Sequence, residues 1–241
     1  MQIKGKVITI SSTKGGPGKT TIVGCIADTL GVLGYKVAVL DVDPNQNFTS
    51  WYKKLGEERA SGQKVAFTGI THESQLEDEM IVRDISRLRE GHDFVIVDVA
   101  GVKSQSLYVA AGAASLVVIP ATPSEDDLKE AIKTRRIVSS AADMISARLG
   151  KSIEIPTRIL LNATQRNTIV HDHAQKELER RGFPLFKTTI GIRTVFRQAR
   201  FAGETPIRID RNGAGANEVM AIVDEILKIL DVNQLEEKLA S

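Results

Sequence analysis

The chain has 241 residues, 42% of them apolar and 26% charged, with 32 Lys and Arg against 30 Asp and Glu. That balance describes a globular protein with a sizeable core and excludes a disordered chain or a helical membrane span, for which about 18 consecutive apolar residues are needed. A net charge of +2 leaves any nucleic-acid binding to local clusters, and the single cysteine, Cys25, excludes an intrachain disulfide and points to a reducing, cytoplasmic location.

No charged-then-apolar leader precedes the first strand, so no signal peptide is expected. Lys6 to Ile10 is a short β-branched run and reads as that strand. A glycine-rich turn follows, then helical spacing from Thr20 to Leu33, ending near Gly34. Lys36 to Asp41 is a second strand. A helix is expected around Phe48 to Arg59, a third strand at Val65 to Thr68, and a helix over Glu73 to Arg89. Phe94 to Asp98 and Leu116 to Pro120 are almost wholly apolar, as strands covered on both faces are. Ser124 reads as an N-cap, with Glu125, Asp126 and Asp127 in the first turn of a helix that runs to about Leu149 and stops at Gly150.

Arg158 to Leu161 is another strand, Asn167 to Arg181 a helix, Phe186 to Thr189 a last strand, and Ala216 to Leu230 a C-terminal helix. No repeat, low-complexity tract or linker interrupts this alternation. The pattern predicts one doubly wound α/β domain over residues 1–241, with a mostly parallel sheet of about seven strands and helices on both faces.

The turn after the first strand reads Ser12-Thr13-Lys14-Gly15-Gly16-Pro17-Gly18-Lys19-Thr20-Thr21. A strand, this loop and a helix are the setting of a phosphate-binding P-loop. Gly15, Gly16 and Gly18 let the backbone curl so that its N–H groups point at phosphate oxygens. The helix start adds the positive end of its dipole. Lys19 can reach the β- and γ-phosphates of ATP, the Thr20 hydroxyl can ligate Mg2+, and Thr21 can bond the α-phosphate. Asp98, at the carboxyl end of its strand, is placed to hold the metal directly or through water.

Lys14 adds a second lysine, giving Lys-Gly-Gly-x-Gly-Lys-Thr. This resembles the deviant P-loop of the ParA/MinD superfamily. Leu40-Asp41-Val42-Asp43-Pro44-Asn45 resembles that superfamily's Asp-x-Asp-Pro segment, Phe94 to Gly101 its Walker B and switch segment, and Ile119 to Pro123 its proline-containing strand end. The resemblance covers about residues 4 to 230 and is strongest to the small ParA proteins of plasmid partition. Pro17 departs from the commoner Val, Ile or Ser and leaves the glycine-dependent turn intact.

The resemblance implies an ATPase that dimerises face to face on ATP, with Lys14 reaching the partner's phosphates. Asp43 would position the attacking water, Asp41 would support the metal, and Gly101 would let the next loop approach the γ-phosphate. Asn162 and Pro206 would lie at the adenine. Asp41 and Asn162 have plainer readings as turn formers, as does Pro206. A single cysteine argues against the iron–sulfur branch of the superfamily, and Cys25 reads as a buried small residue. His72, His92, His171 and His173 show no metal-ligand pattern and read as solvated.

Arg193, Arg197 and Arg200 fall at i, i+4 and i+7, beside an apolar face of Ile192, Val195, Phe196 and Ala199. Five arginines stand against Glu204 and Asp210 over Arg193 to Arg211. Such a face suits phosphate contacts without base reading, or is simply a solvated basic face. The resemblance implies nonspecific DNA binding by the ATP dimer, a centromere-binding ParB-like partner that stimulates slow hydrolysis, and a nucleoid-associated location. A positioning ATPase for a conjugation complex or other large assembly is the alternative, and a nonhydrolysing adaptor is disfavoured by Asp43 and Asp98. The tail from Asp231 to Ser241 holds three acids against one lysine and no aromatic residue, which argues against MinD-like membrane cycling.

Overall fold

In the computed structural model, residues 5–16, 18–100, 105–165 and 168–232 are described. The sheet is built from β1 (Lys6–Ile10), β2 (Val37–Asp41), β3 (Thr71–Ser74), β4 (Phe94–Asp98), β5 (Leu116–Ala121) and β6 (Thr157–Leu161). They lie side by side in the order β3-β2-β4-β1-β5-β6, and every pairing is parallel. Around them run α1 (Lys19–Val32), α2 (Asn47–Lys54), α3 (Gly56–Ala60), α4 (Asp78–Gly91), α5 (Gln105–Gly112), α6 (Glu125–Leu149), α7 (Ile169–Arg180), α8 (Thr194–Ala202), α9 (Pro206–Ile209) and α10 (Ala214–Ile229).

The alternation of side chains along each strand divides the core in two. Ile8, Val39, Ile96 and Val118 face one layer with Ile22 and Ile26 of α1 and Ile222 and Ile226 of α10. Val7, Leu40, Val97 and Val117 face the other, with Ile85 of α4, Leu107 of α5, Val138 of α6 and Leu178 of α7. Both faces being covered explains why these strands are apolar throughout. At the outer side of β6, Leu185 and Gly191 make isolated parallel bridges to Ile159 and Thr164. The expected last strand at Phe186 to Thr189 is reduced to those bridges.

The segment Val65 to Thr68 is a turn rather than a strand. Phe67 has a φ of 63°, and the backbone N–H groups of Ala66 and Phe67 donate to Glu204 Oε2 at 3.0 Å and Asp28 Oδ1 at 2.9 Å instead of to a neighbouring strand. β3 falls later, on Thr71–Ser74, and overlaps the first two residues of the helix expected from Glu73. It is the edge strand and half exposed, so it carries no apolar run to reveal it. The helix expected over Phe48 to Arg59 breaks at Leu55 (φ −111°, ψ 36°) into α2 and α3. α5 was not legible in the sequence. α6 is as expected, with the Ser124 side chain accepting from the Asp127 N–H and Gly150 in the left-handed region at its end.

Candidate functional site

β1 lies in the middle of the sheet, between β4 and β5, and ends at the carboxyl edge where the strand order switches direction. From there residues 11–18 turn into α1; Pro17 lies outside the described residues. Gly16 and Gly18 have φ of 106° and 85°, which a side chain would oppose. At Gly18 a Cβ would also stand 2.5 Å from Nδ2 of Asn162. At Gly15 and Gly16 a Cβ would meet nothing within 4 Å, so the loop opens outward there. Gly18 starts α1 without a side-chain cap, leaving first-turn N–H groups free to face an anion.

Lys19 is buried, and its Nζ donates to the Lys14 carbonyl oxygen at 2.9 Å. Burial lowers its pKa from the ordinary lysine value, while Asp98 and Asp43 act the other way. Asp98 is fully buried at the end of β4, and among the described residues neither of its carboxylate oxygens has a hydrogen-bond partner. Burial first, then Asp41, pushes its pKa up to about 8; the Thr20 hydroxyl opposes that rise without completing a bond of ordinary geometry, and Lys19 opposes it too.

A buried carboxylate without partners is costly, and a cation removes that cost. The oxygen donors Thr20 and Asp98 fit Mg2+, which takes few protein ligands and the rest from phosphate and water. Among the described residues, no group of three or more His, Cys, Asp or Glu side chains could hold a metal by itself.

Asp41 stands opposite Asp98 in register on the adjacent strand. Its own oxygens are occupied. Oδ1 accepts from the Asp43 N–H at 3.1 Å, and Oδ2 accepts from the Thr49 N–H at 2.9 Å and hydroxyl at 2.8 Å. These bonds fasten the start of α2 to the end of β2, so Asp41 acts here as a turn and helix anchor. Asp43 Oδ1 accepts from the backbone and side-chain nitrogens of Asn45 at 2.8 and 2.9 Å.

Lys14 is half exposed, and its Nζ lies 2.9 Å from Asp127 Oδ1. Asp127 also accepts from the Thr122 hydroxyl at 2.6 Å. Thr13 donates its backbone N–H to Thr134 at 3.0 Å and its hydroxyl to Glu130 Oε2 at 2.6 Å. The P-loop thus rests on the first three turns of α6. The sequence marked Asp127 only as a helix-start acid, and no local signal links it to a lysine 113 positions away.

A cleft of about 240 Å³ continues from the loop, lined by Gly16, Gly18, Thr21, Asn162, Phe196 and Arg197 among others. Asn162 therefore stands beside the loop, next to Gly18. Pro206 is buried at the first turn of α9 and is not in that lining. Gly101 lies outside the described residues. Cys25 is buried, and burial pushes its thiol pKa well up. His171 is not solvated: it is buried, with Nδ1 2.7 Å from the Thr164 hydroxyl.

The three arginines do not form one open face. Arg193 precedes α8 and pairs with Glu218 at 2.7 Å; Arg197 is exposed at the cleft. Arg200 turns inward, its guanidinium 4.3 Å from the Trp51 ring centroid and its Nη2 donating to the Asn47 carbonyl at 2.9 Å. Ile192 lies outside the helix and is 65% exposed.

Among known proteins, the maintenance of carboxysome distribution protein A of Halothiobacillus neapolitanus is 24% identical over 226 residues, covering 93% of this chain and 97% of that protein. Protein ParA of Rhizobium radiobacter is 29% identical over 147 residues, covering 61% of this chain and 62% of that protein. Among solved structures, a McdA variant from Cyanothece complexed with ATP superposes with a TM-score of 0.72 at 18% identity, covering 95% of this chain and 97% of that one. MinD of Pyrococcus horikoshii with Mg-ADP superposes with a TM-score of 0.69 at 19% identity, over 95% and 98%. The VirC1 protein family matches residues 5–240. The chain belongs to the VirC1 family, within the ParA/MinD superfamily of P-loop ATPases.

Proposed function

We propose that this VirC1-family chain is an ATP-driven positioning ATPase that hydrolyses ATP with Mg2+ and dimerises on binding it. The observation that carries the reading is the Asp98 carboxylate, without a hydrogen-bond partner among the described residues and buried near Lys19 at the mouth of an open, glycine-built phosphate loop. Lys19 and the first N–H groups of α1 bind the phosphates, Thr21 lies where the cleft meets the loop, and Asn162 orients the base. Thr20 and Asp98 hold magnesium, Asp41 supporting them from β2, and the ion when bound neutralises charge shared between phosphate oxygens.

Asp43 accepts a hydrogen bond from the attacking water and sets its direction. Lys14 leaves Asp127 and reaches across the dimer, where its charge stabilises the equatorial oxygens of the transferring phosphoryl group. Turnover is slow until a partner protein, of the ParB-like class, completes the site.

The dimer tracks nonspecific DNA through Arg197 and Arg193 and works in the cytoplasm at the nucleoid. The relative covered almost end to end is named for carboxysome distribution, which favours a large assembly as cargo over a partitioned DNA molecule. Among the described residues no helix is long and apolar enough to cross a membrane. The tail argument against membrane cycling rests on Asp231 to Ser241, of which residues 233–241 lie outside the described residues. The test is light scattering with ATP, ADP and no nucleotide, followed by co-sedimentation with DNA and with anionic vesicles. ATP-specific dimers that sediment with DNA support the reading. A monomer under all three conditions sinks it, and ATP-dependent vesicle binding replaces the DNA track by a membrane one.

A further inference from the structure

The Asp43 loop continues directly into α2, and α2 is held at both ends of its first turn. Thr49 binds Asp41 and the Gln46 N–H donates to the Asp43 carbonyl at 2.8 Å, so the helix start and the two aspartates move as one piece. The other side of α2 rests on Trp51. That indole is buried against α1, where a Cβ on Gly24 would come within 2.2 Å of the ring. Gly24 lies on the helix that begins with Lys19. Over the ring lies the Arg200 guanidinium, 4.3 Å from the centroid.

Arg200 belongs to α8, the helix whose Phe196 and Arg197 wall the base cleft. Its Nη2 donates to the Asn47 carbonyl at 2.9 Å, while Nη1 is buried with no hydrogen-bond partner among the described residues. A guanidinium kept in such a place costs desolvation, and burial lowers its pKa against the pull of Asp98. An exposed basic face would carry no such cost. Helices from the phosphate loop, the water-directing loop and the base cleft therefore meet at one stacked pair.

We propose that Arg200, stacked on Trp51 and bonded to Asn47, is a positioning residue for hydrolysis, holding the Asp43 loop in register with nucleotide in the cleft. It acts through α2 and touches neither phosphate nor water. The inference rests on the ATPase reading. Misplacing a water-directing group by about an ångström lowers turnover by up to roughly a hundredfold while leaving phosphate binding alone.

The protein has one tryptophan, so its emission reports this junction directly. Arg200→Lys, which keeps charge but loses the planar stack, and Arg200→Met are compared with the parent by ATP calorimetry, turnover, thermal melting and Trp51 emission without nucleotide and with ATP. The expected result is ATP affinity within about twofold of the parent, a kcat reduced about ten- to hundredfold in Arg200→Met with partial recovery in Arg200→Lys, and loss of the ATP-induced emission change. An unchanged kcat in folded Arg200→Met overturns the proposal. So does a parent Trp51 emission that ignores both ATP and the loss of Arg200. If Arg200→Met melts too low to assay, Trp51→Phe, which keeps a ring and weakens the stack, must show the same kcat-selective loss or the proposal falls. Absence of binding heat in the parent overturns the ATPase reading itself, whereas a shifted nucleotide-free emission in Arg200→Met still supports the junction.

Discussion

Lys14 and Asp127 form an ion pair between the P-loop and the first turn of α6, with Nζ 2.9 Å from Oδ1. Asp127 raises the lysine pKa, first by the hydrogen bond and then by its charge. Lys14 is exposed enough to let go, and the trans role proposed for it requires that it does. Asp127→Asn is expected to favour the ATP dimer, shifting its dissociation constant by roughly two- to fivefold, as an exposed pair is weak. Lys14→Ala is expected to bind ATP and stay monomeric. Sedimentation velocity with ATP checks both; a normal dimer from Lys14→Ala removes the trans role.

Lys19→Ala should abolish ATP binding. The ammonium is held in place by the Lys14 carbonyl and kept charged by Asp98 and Asp43 despite burial. Lys14, the other lysine of the loop, is paired with Asp127 and does not replace it. Calorimetry on the variant should give no binding heat. Affinity equal to the parent's would refute the assignment.

Asp43→Ala and Asp41→Asn should separate. Among the described residues the Asp43 side chain bonds Asn45 alone, so its loss should spare ATP binding, trap the dimer and reduce turnover by about a hundredfold or more. Asp41 anchors Thr49 and the Asp43 N–H, so Asp41→Asn should lower the melting temperature by several degrees as well as slow turnover, about 1–3 kcal/mol being at stake in a buried carboxylate's bonds. Turnover and melting curves measured together decide it. Full activity of Asp43→Ala would rule out its role.

Local chemistry was legible where local sequence carries it. The phosphate loop, the apolar strands ending in Asp41 and Asp98, and the Ser124 cap needed no tertiary knowledge. β3 was hidden because an edge strand of Thr71, His72, Glu73 and Ser74 has no apolar pattern, and Val65 to Thr68 read as a strand because its backbone bonds go to acids on distant elements. The arginines of α8 were correctly spaced for one face. What spacing could not reveal is that Trp51, far away in sequence, draws Arg200 inward. The Lys14 and Arg200 partners are products of topology.

The inward turn of Arg200 changes what DNA binding should look like. Two arginines per protomer remain, Arg193 and Arg197, so a dimer that binds DNA as proposed would neutralise about four phosphates, and log affinity against log salt should fall with a slope of about −3.6. Arg193 must compete with Glu218 for its phosphate, so Arg197→Ala should flatten the slope more than Arg193→Ala. Anisotropy titrations on random-sequence DNA with ATP, at several salt concentrations, measure this. An unchanged slope in the double variant moves the DNA surface elsewhere.

Asp98 makes the nucleotide-free protein sensitive to pH. Its pKa is raised to about 8 in the fold, whereas an unfolded aspartate titrates near 3.9. Between about pH 4 and pH 8 the native state holds a proton that the unfolded state releases, so this group makes stability fall as pH rises, with little further change above the folded pKa. Asp98→Asn keeps the shape and carries no charge. The variant should melt like the parent near pH 4, and higher than the parent by several degrees at pH 8 without nucleotide. Magnesium and ATP should reverse the order, because the ion holds the parent's carboxylate ionised and finds no anion in the variant. Melting curves at several pH values, with and without Mg-ATP, test each arm. Equal melting temperatures at pH 8 without nucleotide would show that the buried carboxylate is already compensated, and would remove the observation on which the metal assignment stands.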